Sequence, residues 1–423
     1  MHPKTLLVAC SDLVALTLRF DHPADATVAR FFREHKSLGP RERATMTETV
    51  YNVLRKKLLF DHLAPSGSGA KERRLAILGF HGPRDFLYAA LSDQEKHWLE
   101  QCDKIQVADL MERHRHNLPE WLAAPLKEQT GAQFWPLVES LSRNAGLDLR
   151  VNQLTAKRSE VQKALSVAGI KSAVTPFSPW GLRLDGKPAL KKLASYLKGD
   201  FEIQDEGSQL LAMLVDPHRG EMVVDFCAGA GGKTLALGAS MRSTGRLYAF
   251  DTSAHRLEAF KPRLARSGLS NVHPVAIAHE RDDRIKRLAG KVDRVLVDAP
   301  CSGLGTLRRN PDLKWRQDMA AVQALAVRQG EILQSAARLL KPGGRLVYAT
   351  CSILQEENEQ VAQAFTAANS GFAPLAVGAI LTHLKVEAAA ALCSGGADDN
   401  LYLRLWPHTH ATDGFFAAIW ERL

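Results

Sequence analysis

The chain of 423 residues is poor in cysteine, with only Cys10, Cys102, Cys227, Cys301, Cys351 and Cys393. They form no C-x-x-C pair and no zinc spacing. They are also too sparse for a disulfide framework in a chain of this size, so a reducing compartment is expected. Long apolar runs are missing as well, and no stretch reaches the length of a membrane span. The opening MHPKTLLVACSDLVALTLRF is broken by Ser11 and Asp12, and no small-residue cleavage site follows. It reads as an amphipathic helix rather than a signal peptide. Internal repeats and low-complexity segments are absent too. A cytoplasmic protein without a membrane partner is expected.

What is present is an ordinary globular composition, 45% hydrophobic and 24% charged, long enough for two or three domains. The formal net charge of +9 is unevenly spread. Residues 1–200 carry 30 Lys and Arg against 22 Asp and Glu, whereas residues 201–423 carry 25 against 24. This asymmetry fits a polyanionic partner contacted mainly by the first half, or a solvated basic face; charge alone leaves both open.

Residues 1 to about 116 read as helical, with apolar positions at helical spacing in LVALTLRF and TETVYNVLRKKLLF. Turn signals separate these runs at SLGP (37–40) and PSGSG (65–69). Basic residues cluster in HKSLGPRERA and LRKKLL. From 117 to 200 the pattern is a small α+β unit. NLPEWL opens a helix, LDLRVN alternates as a strand, RSEVQKALSVAGI is an amphipathic helix closed by Gly169, and GLRLDG is a second strand. FEIQDEGSQ (201–209) reads as a linker running into a helix. Beyond about 220 the strand-like MVVDFC, RLYAFD, VDRVLVDAPC and KPGGRLVYATC are each followed by a helical stretch. That rhythm predicts an α/β fold with a parallel, doubly wound sheet.

In such sheets, ligands bind outside the carboxyl ends of the strands, near the point where strand order reverses. Cys227, Cys301 and Cys351 each end one of these strands. A single buried cysteine is usually a small core hydrophobe. Three at the same end of three strands point to a thiol site. After Cys227, the glycines Gly229, Gly231 and Gly232 let backbone approach a ligand at a helix N-terminus. Asp251 ends the next strand, where a carboxylate can accept hydrogen bonds from both ribose hydroxyls of a nucleoside. Nicotinamide dinucleotides and S-adenosylmethionine both fit. Gly232-Lys233-Thr234 also matches the end of a triphosphate loop, with Asp298 as a candidate magnesium residue, but Cys227 stands where the loop's first glycine belongs.

Asp298-Ala-Pro-Cys301-Ser together with Thr350-Cys351-Ser resembles the RsmB/Nop family of RNA cytosine-C5 methyltransferases. The resemblance covers residues 200–423 through IQDEGSQL, DFCAGAGGKT, Asp251, VDAPCSGLGTLRRNPDLKW, LVYATCSILQEEN and DGFFAA. DAPCSG with a downstream ATCS is its specific part. RERATMTETVYNVLR looks like the helical leading domain of bacterial members, which is similar to the antitermination factor NusB. Residues 117–200 look like their small RNA-contacting domain. The resemblance thus implies a Rossmann-like methyltransferase domain (201–423) preceded by a helical NusB-like domain (1–116) and a small α+β domain (117–200). It implies S-adenosylmethionine as cofactor, RNA as partner and no metal.

Carbon 5 of cytosine is a poor nucleophile until a thiolate adds to carbon 6 and converts the ring to an enamine. The resemblance assigns that thiolate to Cys351. It implies Cys301 in loss of the carbon-5 proton and expulsion of the thiol, and Asp298 in contact with the base near N3 and the exocyclic amine. It implies cofactor contacts at Cys227, Ala228, Gly229, Ala230, Gly231, Gly232, Lys233, Asp251 and Asp298. Family members usually carry an Asp after the third strand for the adenine amino group. Here HPVAIAHERDD puts His279 at that place, so either Glu280 takes over or backbone alone holds the adenine. RRNPDLKW (308–315) is expected as a surface loop, or as a basic loop with Arg308, Arg309 and Lys314 on RNA phosphates. The target base must be single-stranded or flipped out. The expected activity is 5-methylcytosine formation on structured RNA, chiefly small-subunit ribosomal RNA, by a monomer. The alternatives are the same chemistry on transfer RNA and a non-catalytic RNA-binding assembly factor.

Overall fold

The computed structural model describes residues 1–395 and 400–423, which divide into two compact units. The first comprises Met1–Asn144 and Thr306–Met319; the second comprises Ala145–Gly305 and Ala320–Leu423.

The first unit is helical. Leu7 and Leu13 from Pro3–Thr17, Met46 and Leu54 from Pro40–Arg55, Leu75 from Lys71–Gly79 and Leu99 from Asp93–Lys104 meet in its sealed core. Local chemistry sets the helix ends. Pro3 and Pro40 sit in first turns, where a missing N–H breaks no helical bond. Ser92 and Glu95 form a capping box, with Ser92 Oγ accepting from Glu95 N at 3.2 Å and Glu95 Oε2 from Ser92 N at 2.9 Å.

The segment Thr306–Met319 belongs to this unit, and it corrects both readings of RRNPDLKW. Lys314 is buried, its Nζ donating to Arg55 O at 2.9 Å and Asn117 O at 2.6 Å. Trp315 Nε1 donates to Leu54 O at 2.8 Å, and Asp312 Oδ2 accepts from Ala24 N at 3.1 Å. Arg308 is buried as well, and its carbonyl accepts from Arg55 Nη2 at 3.0 Å. Lys314 is an anchor for carbonyls at helix ends, not a phosphate grip. Burial, and then the Arg55 charge, push its ammonium from 10.5 down to about 7. The folded value lies below the unfolded one, so the unfolded chain binds the extra proton between them and stability rises with pH there. The stability of the wild-type chain relative to Lys314→Met is therefore expected to climb from about pH 7 to 10.5 and to level off beyond, as measured by denaturant titration across pH; a flat difference contradicts it.

The second unit holds two sheets. The smaller is antiparallel, built from Leu147–Val151 (β1), Ser172–Val174 (β2), Gly181–Leu184 (β3) and Phe201–Ile203 (β4) in the order β2-β3-β1-β4. Leu149, Leu182 and Phe201 pack there with Val161 and Leu165 of helix Arg158–Val167. The linker expected at FEIQDEGSQ is corrected. Its first three residues are the edge strand β4, and Asp205 caps the following helix by accepting from Gly207 N at 2.9 Å.

The larger sheet has a parallel half made of Met222–Asp225 (β5), Arg246–Asp251 (β6), Val272–Ala276 (β7), Val292–Asp298 (β8) and Leu340–Thr350 (β9), in the order β7-β6-β5-β8-β9. Successive residues enter opposite cores: Val223, Leu247, Leu296 and Val347 on one face, Val224, Phe250, Val295 and Leu346 on the other. Burial on both faces is why these strands read as apolar runs. The expected parallel, doubly wound sheet is present, and an antiparallel edge extends it into a mixed sheet. Phe372–Leu375 (β10), Cys393–Ser394 (β11), Tyr402–Leu405 (β12) and Phe415–Arg422 (β13) add antiparallel, with β13 against β9. The link from β12 to β13 is too short for a crossover, which needs about a dozen residues or more, so the pair runs antiparallel. Strand order reverses between β5 and β8, which opens a crevice at their carboxyl ends. Among the described residues no helix is long and apolar enough to cross a membrane.

Candidate active site

A cleft of about 780 Å³ occupies this crevice. The turn after β5 forms its floor, with Cys227, Ala228, Gly229, Ala230, Gly232 and Lys233 on the wall. Main-chain bonds shape the turn: Ala228 N donates to Phe250 O at 2.8 Å and Gly231 N to Ala228 O at 2.9 Å. Gly231 differs from its neighbours. It takes φ +79, and a Cβ there would lie 2.1 Å from the Phe260 ring. It does not line the cleft; it packs on Phe260 as the N-cap of helix Gly232–Ser240.

Asp251, at the end of β6, accepts from Gly229 N at 2.8 Å and from Ser253 N at 2.7 Å. One acid thus ties the turn to the cleft wall. Thr234 is buried and gives its hydroxyl to Asp225 Oδ2 at 2.7 Å. Burial chiefly raises the Asp225 carboxyl to about 7. With Thr234 turned into the core and Lys233 held by Asp298, the triphosphate-loop reading loses both of its working side chains.

Cys301 and Cys351 meet at the other end of the cleft, with their sulfurs 3.3 Å apart. Asp298 lines the same wall, and its Oδ2 accepts from Lys233 Nζ at 2.7 Å. Burial alone would lower the Lys233 ammonium, but Asp298 and then Cys351 and Asp225 outweigh it and hold it above 10.5. The hydrogen bond to Cys351, then burial, holds the Cys301 thiol well above its ordinary value. Burial does the same for Cys227, helped by Asp225 and Asp298. The fourth cysteine of this unit, Cys393, is on β11, away from the cleft wall. The three strand-end cysteines do converge on one cavity, but only two form the close pair.

Glu280 lies on the wall near Arg328, their ion pair spanning 3.3 Å, whereas His279 is exposed. Sequence reasoning missed several wall residues. Gln204, Asp205 and Ser208 lie inside the motif IQDEGSQL, which carried the resemblance but suggested no role. Arg263 looks solvated on helical periodicity, yet its Nη1 donates to Ala230 O at 2.6 Å and its Nε to Glu202 Oε2 at 3.0 Å. No local signal marks it, because its partners are distant in sequence.

The site fits S-adenosylmethionine. The cavity suits a nucleoside-sized ligand, Asp251 places a carboxylate on its wall, and the glycine turn brings backbone to the wall beside a helix N-terminus. Residues 212–421 match the family model described as 16S rRNA methyltransferase RsmB/F, and residues 118–191 match the ferredoxin-like domain of RsmF/B-like methyltransferases. The crystal structure of PH0851 aligns with TM-score 0.80 over 100% of this chain and 99% of that one, at 26% identity. Fold, site and likeness together define an S-adenosylmethionine-dependent RNA methyltransferase with a Rossmann-like catalytic sheet. A probable ribosomal RNA small subunit methyltransferase B of Synechocystis sp. is 29% identical over 445 residues, covering 95% of each chain. Ribosomal RNA small subunit methyltransferase B of Yersinia pseudotuberculosis is 34% identical over 76% of this chain and 71% of that one. The chain belongs to the RsmB/Nop family.

The two turn glycines are expected to respond differently to a methyl group. Gly229→Ala meets nothing within 4 Å and should lose only left-handed strain, about 1–2 kcal/mol. Gly231→Ala adds the Phe260 clash and should lose clearly more, as read by denaturant unfolding without cofactor. Equal losses contradict the packing role of Gly231.

Proposed function

We propose that the chain forms 5-methylcytosine in RNA, with small-subunit ribosomal RNA as substrate, through a covalent bond between Cys351 and cytosine carbon 6. The observation that carries this reading is the pair of sulfurs 3.3 Å apart on the wall of the cofactor cleft. A non-catalytic RNA-binding factor has no use for two thiols in contact at strand ends.

When bound, the cofactor supplies an electrophilic methyl group. The protein's own residues do the rest. Cys351 adds to carbon 6, which makes carbon 5 nucleophilic. The protonated Lys233 is the nearby cation, the kind of neighbour that favours a thiolate. Lys233 also holds Asp298 in place, where it faces N3 and accepts from the exocyclic amine of the base, while the Lys233 cation offsets the negative charge that develops as the thiol adds. After methyl transfer, the carbon-5 proton leaves and the carbon 6–sulfur electron pair returns to Cys351. Cys301, next to that sulfur, serves this release. Cys227, Ala228, Gly229, Ala230, Gly232 and Lys233, with Asp251, form the cofactor seat, Gly231 supports it by packing on Phe260, and Glu280 takes the adenine amino group.

Residues 1–116 as a NusB-like domain and residues 117–200 as a small α+β domain place the RNA, and residues 201–423 carry out the transfer. The ferredoxin-like match over 118–191 and the basic excess of residues 1–200 support that division. Action as a monomer in the cytoplasm completes the proposal.

Cys351→Ala is expected to cut tritium transfer from S-adenosylmethionine to RNA below about a thousandth of wild type. Cys301→Ala should instead accumulate a protein–RNA adduct stable on a denaturing gel. Full turnover by Cys351→Ala sinks the assignment, and bisulfite mapping of RNA from a deletion strain identifies the substrate. Glu280→Ala should weaken cofactor binding by about tenfold, the loss of one hydrogen bond to a buried acceptor; calorimetry showing unchanged affinity would leave the adenine to backbone alone.

A further inference from the structure

One buried acid joins the two cysteine-bearing loops behind the sulfurs. Glu357, in the turn Gln355–Glu357 after β9, is 0% exposed. Its Oε1 accepts from Ser302 N at 2.8 Å and from Gln329 Nε2 at 3.0 Å, and its Oε2 accepts from the Ser302 hydroxyl at 2.5 Å. Its carbonyl accepts from Tyr348 Oη, on β9, at 2.5 Å. Asn358 completes the clamp: its Oδ1 accepts from Thr350 Oγ1 at 2.5 Å, and its Nδ2 donates to Ser352 O at 3.0 Å. Ser302 and Ser352, each one residue past a site cysteine, bring their hydroxyls within 3.3 Å. A buried acid is costly unless its oxygens are bonded, and here each oxygen has a donor.

We propose that Glu357 is a positioning residue for the release step, locking the Cys301 loop onto the Cys351 loop so that the two sulfurs stand in proton-transfer contact. The proposal rests on the cytosine reading above. In the release it serves, the carbon-5 proton passes to the Cys301 sulfur while the Cys301 proton passes to the Cys351 sulfur. The pair from the carbon 5–hydrogen bond forms the carbon 5–carbon 6 double bond, and the carbon 6–sulfur pair stays on Cys351. Two protons move, one of them net from the base to the protein, and both cysteines end as thiols. Such a relay needs Cys301 to stay protonated. Its bond to Cys351 and its burial act first, and the Glu357 charge adds to them. The other titratable groups around the pair are Tyr348 on β9, Asp298 on β8, Lys233 on Gly232–Ser240 and Arg328 on Met319–Ala337.

Glu357→Gln keeps the shape and an acceptor for Ser302 N while removing the charge. Iodoacetamide labelling mapped by mass spectrometry, with no RNA present, should then modify Cys301 about tenfold faster near pH 8, and Cys351 within about twofold of wild type. Equal Cys301 rates in the two proteins overturn the proposal. With RNA, kcat should fall about tenfold at unchanged KM while the denaturing-gel adduct accumulates; a rise in KM alone, or slow turnover without adduct, also overturns it. Should Glu357→Gln fail to fold, Ser302→Ala, which removes one bond of the clamp and leaves the acid in place, should accumulate the denaturing-gel adduct to a lesser degree, and no adduct overturns the proposal. The labelling arm is independent of substrate. A wild-type chain that makes no 5-methylcytosine sinks the functional reading, while the Cys301 rates still decide whether Glu357 governs that thiol.

Discussion

The register of β8 against β9 governs the site. Parallel pairing sets Asp298 opposite Ala349, so the two strands end at the same level and the cysteine after each arrives at the same height. Ala299 N donates to Ala349 O at 2.9 Å, and Gly305 N donates to Cys351 O at 2.8 Å. The second bond returns the Cys301 loop to the tip of β9. A methyl group on Gly305 would lie 2.1 Å from Gly414 O and 2.7 Å from Cys351 O, so glycine is the residue that permits this closure. A slip of one residue would send every core side chain of β9 to the opposite face. The contact between the sulfurs is therefore secured by the whole hydrophobic sheet.

Around that contact, charge is arranged by burial and pairing. Lys233 remains a cation in a partly buried setting because Asp298 meets it directly. Asp225, deeper still and bonded to Thr234, is raised to about 7. Cys301 and Cys227 are held as thiols by their surroundings. One cation and several protonated or partly protonated groups thus share a small volume, an arrangement typical of sites tuned for chemistry rather than stability.

Much of this was legible beforehand. The strand ends, the glycine turn, Asp251 and the three strand-end cysteines follow from local pattern, because a strand buried on both faces must be apolar throughout and a tight turn must carry glycine. Other features were hidden for a common reason. Lys314 looks like a phosphate ligand until its acceptor Arg55 O, 259 positions away, is seen. Glu357 looks like any surface acid near a helix start until Ser302, 55 positions away, is found on it. Phe201–Ile203 reads as a linker because a three-residue edge strand carries too few residues to show a period.

The sequence by itself determined the alternating strands and helices, the glycine turn before a helix and the cysteines at three strand ends, since each depends on the chemistry of neighbours along the chain. Only the tertiary structure decided that the sheet is mixed, that Gly231 packs on Phe260 instead of lining the cleft, and that a buried acid spans the two cysteine loops. Those depend on which polar and apolar groups from remote segments are forced to share one interior, and no local pattern records that.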